Sequence, residues 1–156
     1  IAPTEEKCVV DSCRLCKEEG GALIWSGEDC RIVQVNDPGL PGFCRVIWHQ
    51  HVAEMSALNH AQRHLLMRIV VGVEEVIASA MKPLKINLAS LGNQVPHLHW
   101  HIIPRYGDDP YFPDSVWSEK RRDTNEVVAL KRQAMAELLP VLIREKADSW
   151  TGKNSK

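Results

Sequence analysis

Three histidines alternate with apolar residues in the segment 97–103, HLHWHII, and this alternation is the strongest constraint on the fold of the chain. Side chains two residues apart on a β-strand point to the same side of the sheet. We therefore predict a strand that carries the three histidines on one face. Leu98, Trp100 and Ile102 would pack behind them into a core.

Two simpler roles are also open to the histidine row. It is the solvent-facing side of a half-buried strand, or it binds a single metal ion through all three rings. At about 3.3 Å per residue, the Cα atoms of His97 and His101 lie roughly 13 Å apart. Zinc–nitrogen bonds are only about 2.0–2.1 Å long. Separate roles for His97, His99 and His101 therefore fit better than one shared ion.

Composition limits the size of the protein and its partners. The chain has 156 residues, of which 44% are hydrophobic, so we expect one core and one domain. Nineteen Lys and Arg against twenty Asp and Glu give a net charge of −1, which argues against duplex nucleic acid as a partner. No apolar stretch approaches the ~20 residues that span a bilayer, and the first residues lack a secretion signal. We predict a cytoplasmic protein without membrane contact.

Residue patterns around the histidine row predict a sheet and one long helix. Segments 31–35 and 43–48 are rich in β-branched and aromatic residues and are separated by a turn, so we predict an antiparallel pair. Segment 84–89 forms the next strand, joined to 97–103 across a Gly92-Asn93 turn. Between these pairs, apolar residues recur at helical spacing from Leu58 to Ala80, with Asn59 as N-cap and Pro83 past the end. These elements predict an α+β fold with an antiparallel sheet packed on helices.

The last third of the chain is less regular. Segment 104–123 shows no periodicity, and such a long run inside a domain is unusual without a function. It is either a surface loop held down by Tyr111, Phe112 and Trp117, or the rim of a substrate site or subunit contact. A helix is expected over 124–146, with an inner face made of Val127, Leu130, Ala134, Leu138 and Val141 or Leu142.

At residues 97–103 the chain resembles the histidine-triad family of nucleotide hydrolases and transferases, whose motif is His-φ-His-φ-His-φ-φ with φ apolar. Gly92-Asn93, Pro104-Arg105 and Pro41-Gly42 extend the resemblance, which covers about 13–105. It implies an antiparallel sheet with one long packed helix and a C-terminal helix. It also implies a catalytic domain over 1–123, a C-terminal helix and tail over 124–156 within the same domain, and a homodimer.

The family resemblance assigns roles to the second and third histidines. His99 would attack the α-phosphate of a nucleotide and form a covalent nucleotidyl-imidazole, which water then cleaves. Histidine suits this chemistry because its pKa is near 6.5, so that a neutral ring can attack near neutral pH. His101 would contact the phosphate and the leaving oxygen.

The resemblance also indicates substrate contacts outside the strand. Asn93 and the backbone amides of the Gly92 turn would hold the phosphate. Gln94 stands where many relatives carry Ser or Thr beside the leaving group, and its carboxamide can still donate a hydrogen bond. Either Asn36 or Asp37 occupies the place where the family binds ribose hydroxyls.

The five cysteines, an odd number, do not form a disulfide framework in a chain of this length. Cys30 and Cys44 lie in apolar surroundings beside predicted strands, and we interpret them as small core residues. Cys13-x-x-Cys16 looks like the zinc-carrying bacterial members of the family, which are related to diadenosine-tetraphosphate hydrolases. Cys8 is a less favourably spaced substitute for one of the pair.

Two further ligands would complete a metal site. The resemblance supplies His51 and His97 to make a closed Cys₂His₂ zinc site of structural type with Cys13 and Cys16. His49 is the rival of His51, whereas His60 and His64 lie on the long helix and are expected at the surface.

These features together predict a histidine-triad nucleotide hydrolase or nucleotidyl transferase. Its substrate would be a dinucleoside polyphosphate or a nucleoside phosphoramidate, cleaved at the α-phosphate. The alternative is a catalytically quiet nucleotide-binding or zinc-stabilised interaction module with the same fold. His99 argues against the alternative, because a module without turnover has no need of a nucleophile at this position.

Overall fold

The protein is a five-stranded antiparallel sheet with its three longer helices on one face and a short helix on the other, and a computed structural model describes residues 10–152. The strand order is β1-β2-β3-β5-β4. In chain order the elements are α1 (Arg14–Lys17), β1 (Ala22–Ser26), β2 (Cys30–Gln34), β3 (Cys44–Trp48), α2 (His60–Met81), β4 (Lys85–Ala89), β5 (His99–Arg105), α3 (Glu126–Ala136) and α4 (Leu139–Trp150). The predicted α+β class is confirmed.

The four predicted strands are present with the expected antiparallel pairing of β2 with β3 and of β4 with β5. Strand β1, which the sequence pattern did not predict, pairs with β2 at the edge of the sheet. It is short, contains one fully buried side chain, Ile24, and follows two glycines with positive φ, Gly20 and Gly21. The sequence of such a strand shows no clear alternation of apolar and polar residues, because pairing with a neighbouring strand, and not its own pattern, keeps it extended.

Strand β5 begins at His99, which corrects the prediction for the histidine row. His97 and Leu98 lie in the bend before the strand. His99 and His101 therefore share one face of the sheet, opposite Ile47 and Arg45 of β3, whereas His97 is directed elsewhere.

The long helix α2 packs on the other face of the sheet. Asn59 caps it as predicted: its side chain accepts from the Gln62 amide, and the Gln62 side chain accepts from the Asn59 amide. Lys82 ends the helix in the left-handed conformation, with φ 46°, just before Pro83. The core between helix and sheet contains Ile32, Cys44, Val46, Leu66, Ile69, Val73, Ile77 and Ile102. Among the helices of residues 10–152, none has the length and apolar content needed to cross a membrane.

The predicted C-terminal helix is two helices, and its predicted inner face is wrong. Pro140 lies in the first turn of α4, where its missing N–H is tolerated but where it interrupts a continuous helix. Helix α3 ends at Ala136 and α4 begins at Leu139, so the two halves of the segment do not share one face. Val127, Leu130, Ala134, Leu138 and Val141 are exposed, whereas Ala136, Leu139, Ile143 and Ala147 are buried and Leu142 is partly buried against the core. Helix α4 packs on α2 and β1.

The segment after β5 is held by a buried ion pair. Arg105 Nε lies 2.7 Å from Asp109 Oδ2, and both side chains are almost completely buried. Asp109 also accepts from the amides of Tyr111 and Phe112, at 2.9 and 2.8 Å. Residues 106–125 contain no helix or strand, so this pair and its amide contacts define the path of the loop.

We expect Asp109→Ala to lower the free energy of unfolding by ~3 kcal/mol at pH 7, because it leaves Arg105 buried without a carboxylate. Burial raises the pKa of Asp109, but hydrogen bonds from Arg105 and from three backbone amides outweigh it, so the net pKa is lowered. The stabilisation is therefore present above the unfolded pKa of about 3.9 and is lost as the pH falls through the folded pKa.

Urea denaturation of the parent and the variant at pH 7 and at lower pH measures this difference. Asp114→Ala is the matched control, because Asp114 pairs with Arg121 at 2.7 Å on the surface and its loss should cost less than ~1 kcal/mol. Equal losses for the two variants, or a loss at Asp109 that does not shrink in acid, would contradict the assignment.

Candidate metal centre and active-site pocket

Four side chains from three distant segments meet in one cluster: Cys13, Cys16, His51 and His97. One ligand atom from each lies within 4.8 Å of all the others. The two histidine Nδ1 atoms are 3.3 Å apart, and each Sγ lies 3.5 Å from His97 Nδ1. Zn–N bonds of about 2.05 Å and Zn–S bonds of about 2.3 Å place tetrahedral ligand atoms about 3.3–3.8 Å apart. The separations of 3.3 and 3.5 Å fall in this range, so the cluster is a possible metal site.

The surrounding backbone orients the cluster. His97 Nε2 donates to the Trp48 carbonyl oxygen at 2.6 Å, which leaves Nδ1 unprotonated and directed at the two thiols. Such a hydrogen bond to the second ring nitrogen is typical of metal-binding histidines. Buried Arg31 donates to the carbonyl oxygens of Leu15, Glu18 and Glu19, so that the segment carrying the two cysteines is attached to the sheet.

The other candidates for this site lie elsewhere. His49 Nε2 lies 2.9 Å from the Gly27 carbonyl oxygen, outside the cluster. Cys8 lies outside the described residues. Cys30 and Cys44 are buried in the core as predicted, and burial raises the pKa of both thiols to about 12, which keeps them protonated. His60 and His64 are exposed on α2, also as predicted.

A pocket of about 600 Å³ opens beside the cluster, on the face of the sheet opposite α2. The cysteine-bearing segment forms one wall and the loop before β5 forms another. Its lining includes His99, His101, Arg45, Trp117, Asn93, Gln94, Arg14, Leu15 and Glu18. The structure thus brings together four of the predicted site residues: His99, His101, Asn93 and Gln94.

His99 is held as a neutral ring with one free basic nitrogen. Its Nδ1 donates to the His97 carbonyl oxygen at 2.5 Å. Burial lowers its pKa, and the backbone hydrogen bond only partly opposes this. The proton is therefore on Nδ1 and the lone pair is on Nε2, which is the state that a histidine nucleophile requires.

His101 is surrounded by rings and by one cation. Phe43, Trp117 and His99 pack edge-on against it, with centroid distances of 5.5, 5.0 and 4.9 Å. Arg45 Nε donates to His101 Nδ1 at 3.4 Å. Burial, with smaller contributions from His99 and Arg45, lowers the pKa of His101 to about 3. The ring is therefore neutral at pH 7, and its proton is on Nε2.

The predicted ribose contacts do not line this pocket. Asn36 and Asp37 line a separate depression beyond the ends of β2 and β3. Asp37 Oδ1 accepts from the Gly39 amide at 2.9 Å, which closes the turn. Strand β2 ends at Gln34, so the turn carries these side chains past the level of the histidines. The structure does not bring them together with His99 and His101, and ribose binding by either one stays a prediction.

Two pocket residues, Arg45 and Trp117, add to the predicted set. Tyr111 packs on the apolar cluster around Phe43, as expected for a surface loop held down by apolar contacts, and Trp117 lines the pocket. A substrate-binding role of segment 104–123 stays a prediction. In the sequence, Arg45 is distinguished as a charged residue within an otherwise apolar strand, whereas the place of Trp117 depends on the loop path.

Known proteins resemble this chain in sequence over most of its length. A relative from Mycobacterium tuberculosis named AP-4-A phosphorylase is 26% identical over 123 residues, which cover 72% of this chain and 63% of the relative. The chain thus matches less than two thirds of the length of that relative.

Solved structures resemble the fold. A histidine triad protein from Bradyrhizobium japonicum is 25% identical with a TM-score of 0.66, covering 80% of this chain and 92% of that one. A histidine triad (HIT) protein from Sinorhizobium meliloti 1021 is 26% identical with a TM-score of 0.61, and the match covers 76% of this chain and 89% of that one. The family model described as HIT domain matches residues 17–108, more than half of the chain. Because this match contains the strand and the pocket histidines described above, the chain belongs to the HIT family.

Proposed function

We propose that this protein is a nucleotide hydrolase or nucleotidyl transferase that cleaves its substrate at the α-phosphate through a covalent nucleotidyl-His99. The observation that carries the proposal is the hydrogen bond from His99 Nδ1 to the His97 carbonyl oxygen, which leaves the lone pair on Nε2 in a neutral ring. Membership of the HIT family and the relative named AP-4-A phosphorylase support a nucleotide-processing activity.

The reaction has two steps. His99 Nε2 attacks the α-phosphorus, the bond from phosphorus to the leaving oxygen breaks, and the Nε2–H of His101 donates to that oxygen. An acceptor then attacks the same phosphorus, the bond to His99 breaks, and the acceptor proton is released. Asn93 and Gln94 supply amide donors to phosphate oxygens at the mouth of the pocket. The acceptor is water in a hydrolase and inorganic phosphate in a phosphorylase.

A zinc ion bound by Cys13, Cys16, His51 and His97 belongs to the same proposal. With four protein ligands it would supply no open position for substrate, and its contribution is structural. It would join the segment that forms one wall of the pocket to the residue whose carbonyl oxygen orients His99. The homodimer, the cytoplasmic location and the assignment of 1–123 and 124–156 to one domain stay predictions.

A turnover screen tests the function. Dinucleoside tetraphosphates and nucleoside phosphoramidates are incubated with the protein, with and without inorganic phosphate, and the products are separated. Nucleoside monophosphate in water indicates hydrolysis, and nucleoside diphosphate formed only with phosphate indicates phosphorolysis. Absence of turnover for every substrate, together with nucleotide binding, would favour the quiet nucleotide-binding module.

A further inference from the structure

Arg45 is the charged side chain closest to the pocket histidines. It lies on β3, directly opposite His101 of β5 in the strand register, and its neighbours Cys44, Val46 and Ile47 are completely buried. Its own side chain is half-buried and lines the pocket. A guanidinium at this position is costly for folding, because a cation is partly removed from water.

Hydrogen bonds within residues 10–152 use only part of the donor capacity of this guanidinium. Nε donates to His101 Nδ1 at 3.4 Å and Nη1 donates to the Gly20 carbonyl oxygen at 2.9 Å. Arginine has five N–H donors, so three remain after these two bonds. Within residues 10–152, no carboxylate lies at ion-pair distance from Arg45.

Two other buried arginines show the contrast. Arg31 lies 3.4 Å from a carboxylate oxygen of Glu19, and Arg105 lies 2.7 Å from Asp109. Each of these cations is neutralised within the fold. Arg45 has an acceptor ring and a backbone carbonyl instead, and neither carries a charge.

The remaining charges of the pocket do not neutralise Arg45. Arg14 and Glu18 line the outer wall, lie 3.7 Å apart and are mostly exposed, so they compensate each other. Among the pocket residues within 10–152, the Arg45 guanidinium is thus the cation without a carboxylate partner, and it lies next to His101, on the side where the proposed leaving oxygen would depart.

We propose that Arg45 binds the phosphates beyond the α-phosphate, so that the site selects substrates with a polyphosphate leaving group over nucleoside phosphoramidates. The inference rests on the proposed function and narrows its substrate class. A guanidinium matches the geometry of phosphate oxygens and binds them through charge-assisted hydrogen bonds. The leaving group of a phosphoramidate is an amine, which offers Arg45 no anionic oxygen.

The test compares kcat/KM for a dinucleoside tetraphosphate and for a nucleoside phosphoramidate. We expect Arg45→Gln to lower kcat/KM for the tetraphosphate by about 100-fold and for the phosphoramidate by less than about threefold, since it removes charged hydrogen bonds that only the first substrate makes. Arg45→Lys, which keeps the charge, should recover about tenfold of the loss. Arg144→Gln is the charge-matched control, because Arg144 is exposed on α4.

Binding of inorganic tripolyphosphate, measured by titration calorimetry, gives a readout that does not depend on turnover. Arg45→Gln should weaken this binding at least tenfold, and Arg45→Lys should weaken it less. If Arg45→Gln does not fold, Arg45→Met serves in both assays with the same expected changes, because methionine keeps an unbranched side chain and removes the charge.

The outcomes separate the two proposals. A parent protein that turns over no nucleotide but needs Arg45 for tripolyphosphate binding would overturn the proposed function and keep the anion assignment. Equal losses of kcat/KM for the two substrates, or tripolyphosphate binding that is unchanged in Arg45→Gln, would overturn the role of Arg45 whatever the parent activity.

Discussion

Turnover is expected to fall by ~10⁴-fold when His99 is replaced by asparagine, because the variant lacks the basic ring nitrogen that attacks phosphorus. Asparagine has a similar bulk and keeps an N–H that can donate to the His97 carbonyl oxygen, so the fold and the substrate affinity should change little. Single-turnover kinetics with labelled substrate measure the effect. A neutral denaturing quench is required, since the phosphorus–nitrogen bond of the intermediate is labile in acid.

The same assay distinguishes the two pocket histidines. His101→Asn should lower the rate by only ~10²-fold, the range of a general acid, because Arg45 and Asn93 still donate to phosphate oxygens. His64→Asn is the control, because His64 is exposed on α2 and should keep the parent rate. A near-parent rate for His99→Asn, or label on another residue, would show that His99 is not the nucleophile.

Loss of the metal site should have the largest effect on stability. Cys13→Ser/Cys16→Ser is expected to reduce bound zinc from one ion per chain to less than about 0.1, and to lower the free energy of unfolding by roughly 5 kcal/mol, because metal binding stabilises only the folded state. Turnover should also fall, since the segment with these residues forms a wall of the pocket. Elemental analysis of protein purified without chelator and urea denaturation measure the two changes.

Cys44→Ala is the matched control for the loss of a thiol. Cys44 is completely buried but lies in the core under α2, outside the metal cluster. This variant should keep one zinc ion per chain and lose only about 1 kcal/mol from a small cavity. Full zinc occupancy in the double serine variant would show that other residues bind the ion. A parent protein without zinc would show that the Cys-x-x-Cys pair has only a packing role.

Local patterns determined much of the fold. The apolar spacing of α2 and its Asn59 cap depend on residues within one or two turns of each other, so they are visible in the sequence. The alternation around Trp100 likewise predicted a strand with the three histidines on one face, which holds for His99 and His101 but not for His97. The helix break at Pro140 is also a local signal, but the apolar residues on each side concealed it, because Leu138 and Val141 have the spacing of an inner face although both are exposed.

The amino-acid sequence by itself determined which residue types the candidate site contains, namely the paired histidines, the cysteine pair and the strand that carries His99 and His101. Only the tertiary structure decided which of these residues lie in the metal cluster and which lie in the pocket. His97 leaves the row because a bend precedes β5 and its ring meets Cys13, 84 residues away in the chain. Arg45 lies opposite His101 because β3 pairs with β5 in this register. Such contacts depend on pairing and loop paths between distant segments, which no periodicity along the chain encodes.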